Sequence, residues 1–206
     1  MPSARRKIAI FGGTFDPIHL GHLISAEQCR DQAGLDELWF MPAARPPHKR
    51  EQPPSPYERR AEMLALAIAG HPSFRVATQE KDRPGPSFTA DTLQELTTAH
   101  PDVDWHFVLG ADSLVDLPGW REPQRIVALA TLLVVARPGS MTASAEEVAR
   151  AVGAPVRLQV VASPLIGISS TNIRERVGAG RSVRYLVPRP VECYVEEKGL
   201  YRGGES

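Results

Sequence analysis

"KIAIFGGTFDPIHLGH" occupies residues 7–22. Its first six residues form a short apolar run of strand type. Gly12 and Gly13 close that run, Asp16 and Pro17 set a turn, and His19 and His22 follow around Gly21. Glycines at a strand end let the backbone reach unusual φ and let a ligand approach the main chain. A helix is expected to start near 19–21. Its first turn would offer free N–H groups and partial positive charge, a combination that favours phosphate. Residues three apart share one side of a helix, so both imidazoles would flank that turn. The pattern is not G-x-G-x-x-G, so the dinucleotide fingerprint is unmatched. Nor does it have the i, i+4 spacing and glutamate of H-E-x-x-H, which excludes that zinc reading.

Outward from this stretch, short β-branched or aromatic runs alternate with helical patterns. Strands are expected at 7–12, 36–41, 74–78, 105–110, 131–136 and 156–161. Helices are expected at 20–33, 56–69, 89–99, 122–130, 144–152, 170–178 and 188–198. The segment 56–69 places Met63, Leu64, Ala67 and Ile68 on one stripe, with Ser55 as its expected N-cap ahead of Pro56 and Glu58. Near-continuous apolar strands between helices imply a mostly parallel sheet covered on both faces. Ligands bind at the carboxyl ends of such strands, so chemistry is sought in the loops that follow them.

The 206 residues suit one domain. A chain of this length buries roughly 70% of its unfolded surface and needs no disulfide or metal staple. Basic and acidic residues balance at 24 each, against a general nucleic-acid or membrane-surface binder. Cys29 and Cys193 are distant and outside any C-x-x-C pattern. They read as reduced thiols of a cytoplasmic protein. The basic start "MPSARRK" leads into an apolar run too short for a signal-peptide core, and no apolar stretch nears a membrane span. Pro is abundant at 19, and its cluster within 42–56 reads as an ordered loop rather than a linker.

Taken alone, an H-x-x-H pair is more often a surface accident than a site. The whole string "GGTFDPIHLGH", however, resembles the phosphate-binding motif of the nucleotidyltransferase superfamily, with its [HT]-x-G-H core. Further motifs follow in order: "PPHK" at 46–49, "SFTADTL" at 87–93, "GADSL" at 110–114, "PGW" at 118–120, "ISSTNIR" at 168–174 and "YLVPRPVECYVEEKGLY" at 185–201. Together they resemble bacterial nicotinate-nucleotide adenylyltransferase from end to end. The departures are small: Phe88 stands where Tyr is frequent, and Arg121 where an aromatic is common.

The resemblance implies a Rossmann-like α/β fold of nucleotidyltransferase type in a single domain over 1–206, with a Pro-rich loop at 42–56 and a C-terminal helical segment at 170–201. It implies adenylyl transfer from ATP to nicotinate mononucleotide, giving deamido-NAD and pyrophosphate in NAD biosynthesis. Mg²⁺ would arrive with ATP, with no metal held by the protein alone. The catalytic set would be His19, His22, Lys49 and Arg174. ATP would also meet Gly12, Gly13, Thr14, Phe15, Gly110, Asp112, Ser169, Ser170 and Thr171. The mononucleotide would meet Thr89, Ala90, Trp120 and Arg121, with Trp120 stacking on the pyridine ring. An amide at a helix start favours a carboxylate over a carboxamide, whose NH₂ would face another donor. Adenylyltransferases acting on nicotinamide mononucleotide or phosphopantetheine, and a non-catalytic nucleotide-sensing module, are the competing readings. A homo-oligomer is left open.

Overall fold

The computed structural model describes residues 5–45, 53–136, 142–164 and 166–202. His48 and Lys49 of the Pro-rich loop lie outside the described residues. Parallel strands β1 (Arg6–Gly13), β2 (Glu37–Pro42), β3 (Phe74–Val76), β4 (Val103–Gly110), β5 (Thr131–Ala136) and β6 (Leu158–Ala162) build one sheet in the order β3-β2-β1-β4-β5-β6. The strand order reverses between β1 and β4, whose register pairs Phe11 with Val108. That switch point opens a crevice above the carboxyl ends of both strands.

Successive strand residues point to opposite faces, and both faces are buried. Ile8 and Ile10 join Phe107, Leu132 and Val134 on one side, packed under α3 (Thr89–Ala99), α5 (Pro123–Leu129) and α6 (Ala145–Val152). Ala9, Val108, Leu133 and Val161 face the other way. There they meet α1 (Leu20–Ala33), α2 (Tyr57–Ile68), α7 (Ser170–Gly178) and α8 (Arg189–Glu197). Two covered faces explain why these strands read as unbroken apolar runs.

Two expectations need correction. Ser55 does not cap α2. Pro56 holds ψ 142, so the helix begins one residue later without a side-chain cap, and the Ser55 amide donates to Asp16 Oδ2 at 3.0 Å. The stretch 111–119, which lies outside every expected strand and helix, forms α4 (Ala111–Asp116) and a 3₁₀ turn over Leu117–Gly119. Leu114 and Leu117 anchor both to the core, and six residues are too few to show helical periodicity. At the other end, α8 begins with Pro190 in its first turn and stops before Gly199, which takes φ +62. Proline in the first turn and glycine just past the end are the usual helix asymmetry, and the bounds agree with the helix expected at 188–198.

Candidate active site

The opening motif becomes a helix cap built from imidazoles. His19 is extended (φ −145, ψ 170) and caps α1. The His22 amide donates to His19 Nδ1, and the His19 amide donates to His22 Nδ1, both at 3.3 Å. A capping box normally joins a hydroxyl and a carboxylate; here each ring supplies the acceptor. An Nδ1 that accepts carries no proton, so both neutral rings carry theirs on Nε2. The rings stack 3.6 Å apart at 20°. Burial lowers the His19 pKa to about 4. Burial, with the like charge of His19 second, lowers His22 to about 3. At neutral pH the pair is therefore uncharged and offers one N–H from each ring.

Gly13 and Gly21 act by space rather than by φ. Gly12 and Gly13 are ordinary strand residues, and the positive φ falls on Phe15 (φ 51). A Cβ on Gly13 would sit 2.8 Å from the Phe15 ring, and one on Gly21 would sit 3.0 Å from His19 Nδ1. Phe15, expected to meet ATP, has its side chain in the core, edge-on to His22 at 5.0 Å. Only its backbone remains for a ligand.

The second helix start is brought to the first. Ser170 Oγ donates to the Pro17 carbonyl at 2.9 Å, and Arg174 Nη1 donates to the Asp16 carbonyl at 2.7 Å. Ser169 Oγ caps α7 by accepting from the Asn172 amide at 3.1 Å. Arg174 Nη2 lies 3.4 Å from Thr171 Oγ1. The buried Asp16 carboxylate accepts from the Ser55 amide and, at 2.6 Å, from the Tyr201 hydroxyl. Arg60, 1% exposed, donates to the Thr14 and Ser55 carbonyls, each at 2.9 Å. Sequence reasoning missed Asp16, Arg60 and Tyr201 as supports of this loop. A turn aspartate, a helical arginine and a tail tyrosine carry no local signal of a shared partner.

Cavities flank the first turn of α4. One of ≈ 420 Å³ is lined by His19, His22, Gly110, Asp112, Ser163 and Ile168, among others, above the ends of β4, β5 and β6. Ser169, Ser170, Thr171 and Arg174 are not among its lining residues. The next, of ≈ 350 Å³, is lined by Gly12, Gly13, Thr14, Glu80, Thr89 and Trp120 among others. The first three were expected beside ATP, yet they share this space with the expected mononucleotide residues. A third hollow, of ≈ 520 Å³, adds Phe88 and Arg121 to Thr89 and Trp120.

Trp120 packs edge-on to Phe107, with centroids 6.2 Å apart. The Arg121 guanidinium lies 4.6 Å above the Phe88 ring and 4.0 Å from Asp91, which also pairs with Arg125. Ala90 is fully buried in the first turn of α3, where the first intrahelical amides to bond are those of Asp91 and Thr92, both to the Phe88 carbonyl. The amides of Thr89 and Ala90 precede them and point out of the helix start.

Among the described residues no three His, Cys, Asp or Glu side chains form a metal-binding group. Among the described residues Asp112 is the one carboxylate lining the histidine cavity. That donor set fits a hard cation that keeps most of its water and binds mainly through phosphates. None of the described helices is long and apolar enough to cross a membrane.

The doubly wound sheet carries a histidine-capped helix start at its switch point, residues 10–176 match the cytidylyltransferase-like family model, and the chain is a nucleotidyltransferase. A Thermus thermophilus protein named "Probable nicotinate-nucleotide adenylyltransferase" is 49% identical over 196 residues, covering 95% of this chain and all of that protein. One of the same name from Geobacillus thermodenitrificans is 45% identical over 195 residues, covering 95% of this chain and 86% of its own. The chain belongs to the nicotinate-nucleotide adenylyltransferase family of enzymes. Its fold is shared with the Plasmodium falciparum nicotinic acid mononucleotide adenylyltransferase complexed with NaAD, at TM-score 0.78, 19% identity and coverage of 95% and 97% of the two chains.

Proposed function

We propose that this chain, working as one domain in the cytoplasm, transfers the adenylyl group of ATP to nicotinate mononucleotide and releases deamido-NAD and pyrophosphate in NAD biosynthesis. The observation that carries this reading is the pair of cavities on either side of α4. One is walled by neutral imidazoles at a helix start, the other by Trp120 and the start of α3.

The mononucleotide phosphate attacks the α-phosphorus of ATP in line; the new P–O bond forms as the bond to pyrophosphate breaks. The nucleophile is already anionic, so no general base is required, and catalysis is positioning plus charge stabilisation. His22, and His19 beside it, donate from Nε2 to α-phosphate oxygens, joined by the amides of α1's first turn. Gly12, Gly13 and Thr14, with the Phe15 backbone, guide the reacting phosphates between the cavities. Gly110 and Asp112 meet the ATP side. The amides of Ser169, Ser170 and Thr171, with Arg174 and Lys49, receive the leaving pyrophosphate. Asp112 would be the side chain to meet a Mg²⁺ ion brought in by the nucleotide, which would supply neutralisation of phosphate charge. Thr89 and the Ala90 and Arg121 amides take the nicotinate carboxylate, and Trp120 stacks on the ring.

Purified protein with ATP, Mg²⁺ and nicotinate mononucleotide is expected to release pyrophosphate, and about ten- to hundredfold less efficiently with the amide substrate. Binding without turnover would favour a sensing module. Equal rates on the two substrates would remove the carboxylate pocket.

A further inference from the structure

The cavity beneath Trp120 contains a carboxylate that the mechanism leaves unused. Glu80 lies between β3 and α3, is 7% exposed, and lines the same hollow as Gly12, Gly13, Thr89 and Trp120. Its Oε1 accepts from the Thr92 hydroxyl at 2.8 Å. Thr92 is itself 2% exposed, and its oxygen accepts from Arg83 Nη1 at 2.7 Å. The direction of this relay is fixed. The guanidinium can only donate, so the hydroxyl's one proton goes to Glu80. A carboxylate has about four acceptor positions, and among the described residues a single side-chain donor, Thr92, reaches this one. The acceptor positions left over are open to a donor that enters the hollow.

Nicotinate mononucleotide narrows what can do so. At neutral pH its phosphate and ring carboxylate are acceptors only, and its pyridinium nitrogen carries no hydrogen. Its hydrogen-bond donors are the two ribose hydroxyls. Resting on the proposed function, we infer that Glu80 is a specificity-determining residue that accepts a hydrogen bond from the mononucleotide ribose. Its charge also repels the nicotinate carboxylate, turning that end of the ring toward the amides at the start of α3. Arg83 and Thr92 act through Glu80 as positioning residues.

The experiment compares steady-state turnover of nicotinate mononucleotide with its 2′-deoxy and 3′-deoxy analogues in wild type, Glu80→Gln, Glu80→Ala and Thr92→Val. Wild type is expected to disfavour at least one deoxy analogue by about tenfold or more in kcat/KM, because a site built to bond a hydroxyl rejects a substrate lacking it. Glu80→Ala should lower kcat/KM for the ribonucleotide and bring the ratio to within about threefold of unity. Glu80→Gln keeps an acceptor oxygen and should retain part of the discrimination. Thr92→Val, which frees the carboxylate without removing it, should fall between wild type and Glu80→Ala and serves if the alanine variant does not fold. A deoxy ratio unchanged in Glu80→Ala, or in Thr92→Val where that variant stands in, would overturn the proposal and leave Glu80 a purely structural anion. A wild type that turns over the ribonucleotide and both deoxy analogues equally would overturn it too. No turnover of any mononucleotide would instead refute the adenylyl-transfer reading on which it rests.

Discussion

Acidification should unfold this protein through its two stacked histidines. Both rings are ordinary titrating groups in the unfolded chain, with pKa near 6.5. In the folded chain burial lowers them to about 4 and about 3. Between these limits the unfolded state binds protons that the folded state refuses, so stability is full above about pH 7 and falls as pH drops. Each ring contributes at most about 1.4 kcal/mol per pH unit. By pH 5 the two together amount to about 4 kcal/mol, or nearer 2 once solvent reaching His22 is allowed for. That is a large part of the 5–15 kcal/mol typical of a folded domain. Urea titrations at half-unit steps from pH 8 to 4.5 measure the slope. The control is the double variant His19→Asn, His22→Gln, which keeps a capping box without a titrating group. His106, also lowered chiefly by burial, contributes equally to both proteins and cancels in the difference. The variant should lose at least half of the acid sensitivity. Parallel curves for the two proteins would refute the reasoning.

His22→Ala should cut kcat by about 10²–10³, as loss of one transition-state donor does elsewhere, while removing a capping partner costs only about 1 kcal/mol in denaturant. Gly13→Ala should destabilise by about 1–3 kcal/mol, because the new Cβ meets a fully buried ring; at about 2–4 °C per kcal/mol, thermal melting reads it. Trp120→Ala should raise KM for the mononucleotide by about tenfold and leave KM for ATP near its original value, since stacking adds about 0.5–1.5 kcal/mol to the area buried; steady-state kinetics in each substrate decides.

What the sequence made legible follows from how far apart the cooperating residues are. The sheet was readable because two covered faces impose apolar runs, and the expected strand positions coincide with β1 to β6 to within a few residues. The first helix start was readable because His19, Gly21 and His22 act on one another within a single turn. Glu80 and Thr92 are twelve residues apart, and Asp16 meets a tyrosine 185 residues away. No local pattern encodes such pairings. The role of Gly13 was misread for a related reason: a positive φ is a local property, whereas its actual constraint is the Phe15 ring, which only the folded chain brings over it. Local hydrogen-bonding rules also placed the α2 cap on Ser55, but the extended Pro56 takes the cap position and starts the helix one residue later.

The bond between Tyr201 and Asp16 has a consequence for biosynthesis. Translation delivers Asp16 185 residues before Tyr201, so one of the donors that holds this buried carboxylate arrives only after every strand of the sheet has been made. While the segment around residue 201 is still in the ribosomal tunnel, the loop after β1 lacks a contact of the folded chain. A ribosome stalled short of residue 201 therefore displays a sheet whose first loop is still unfastened.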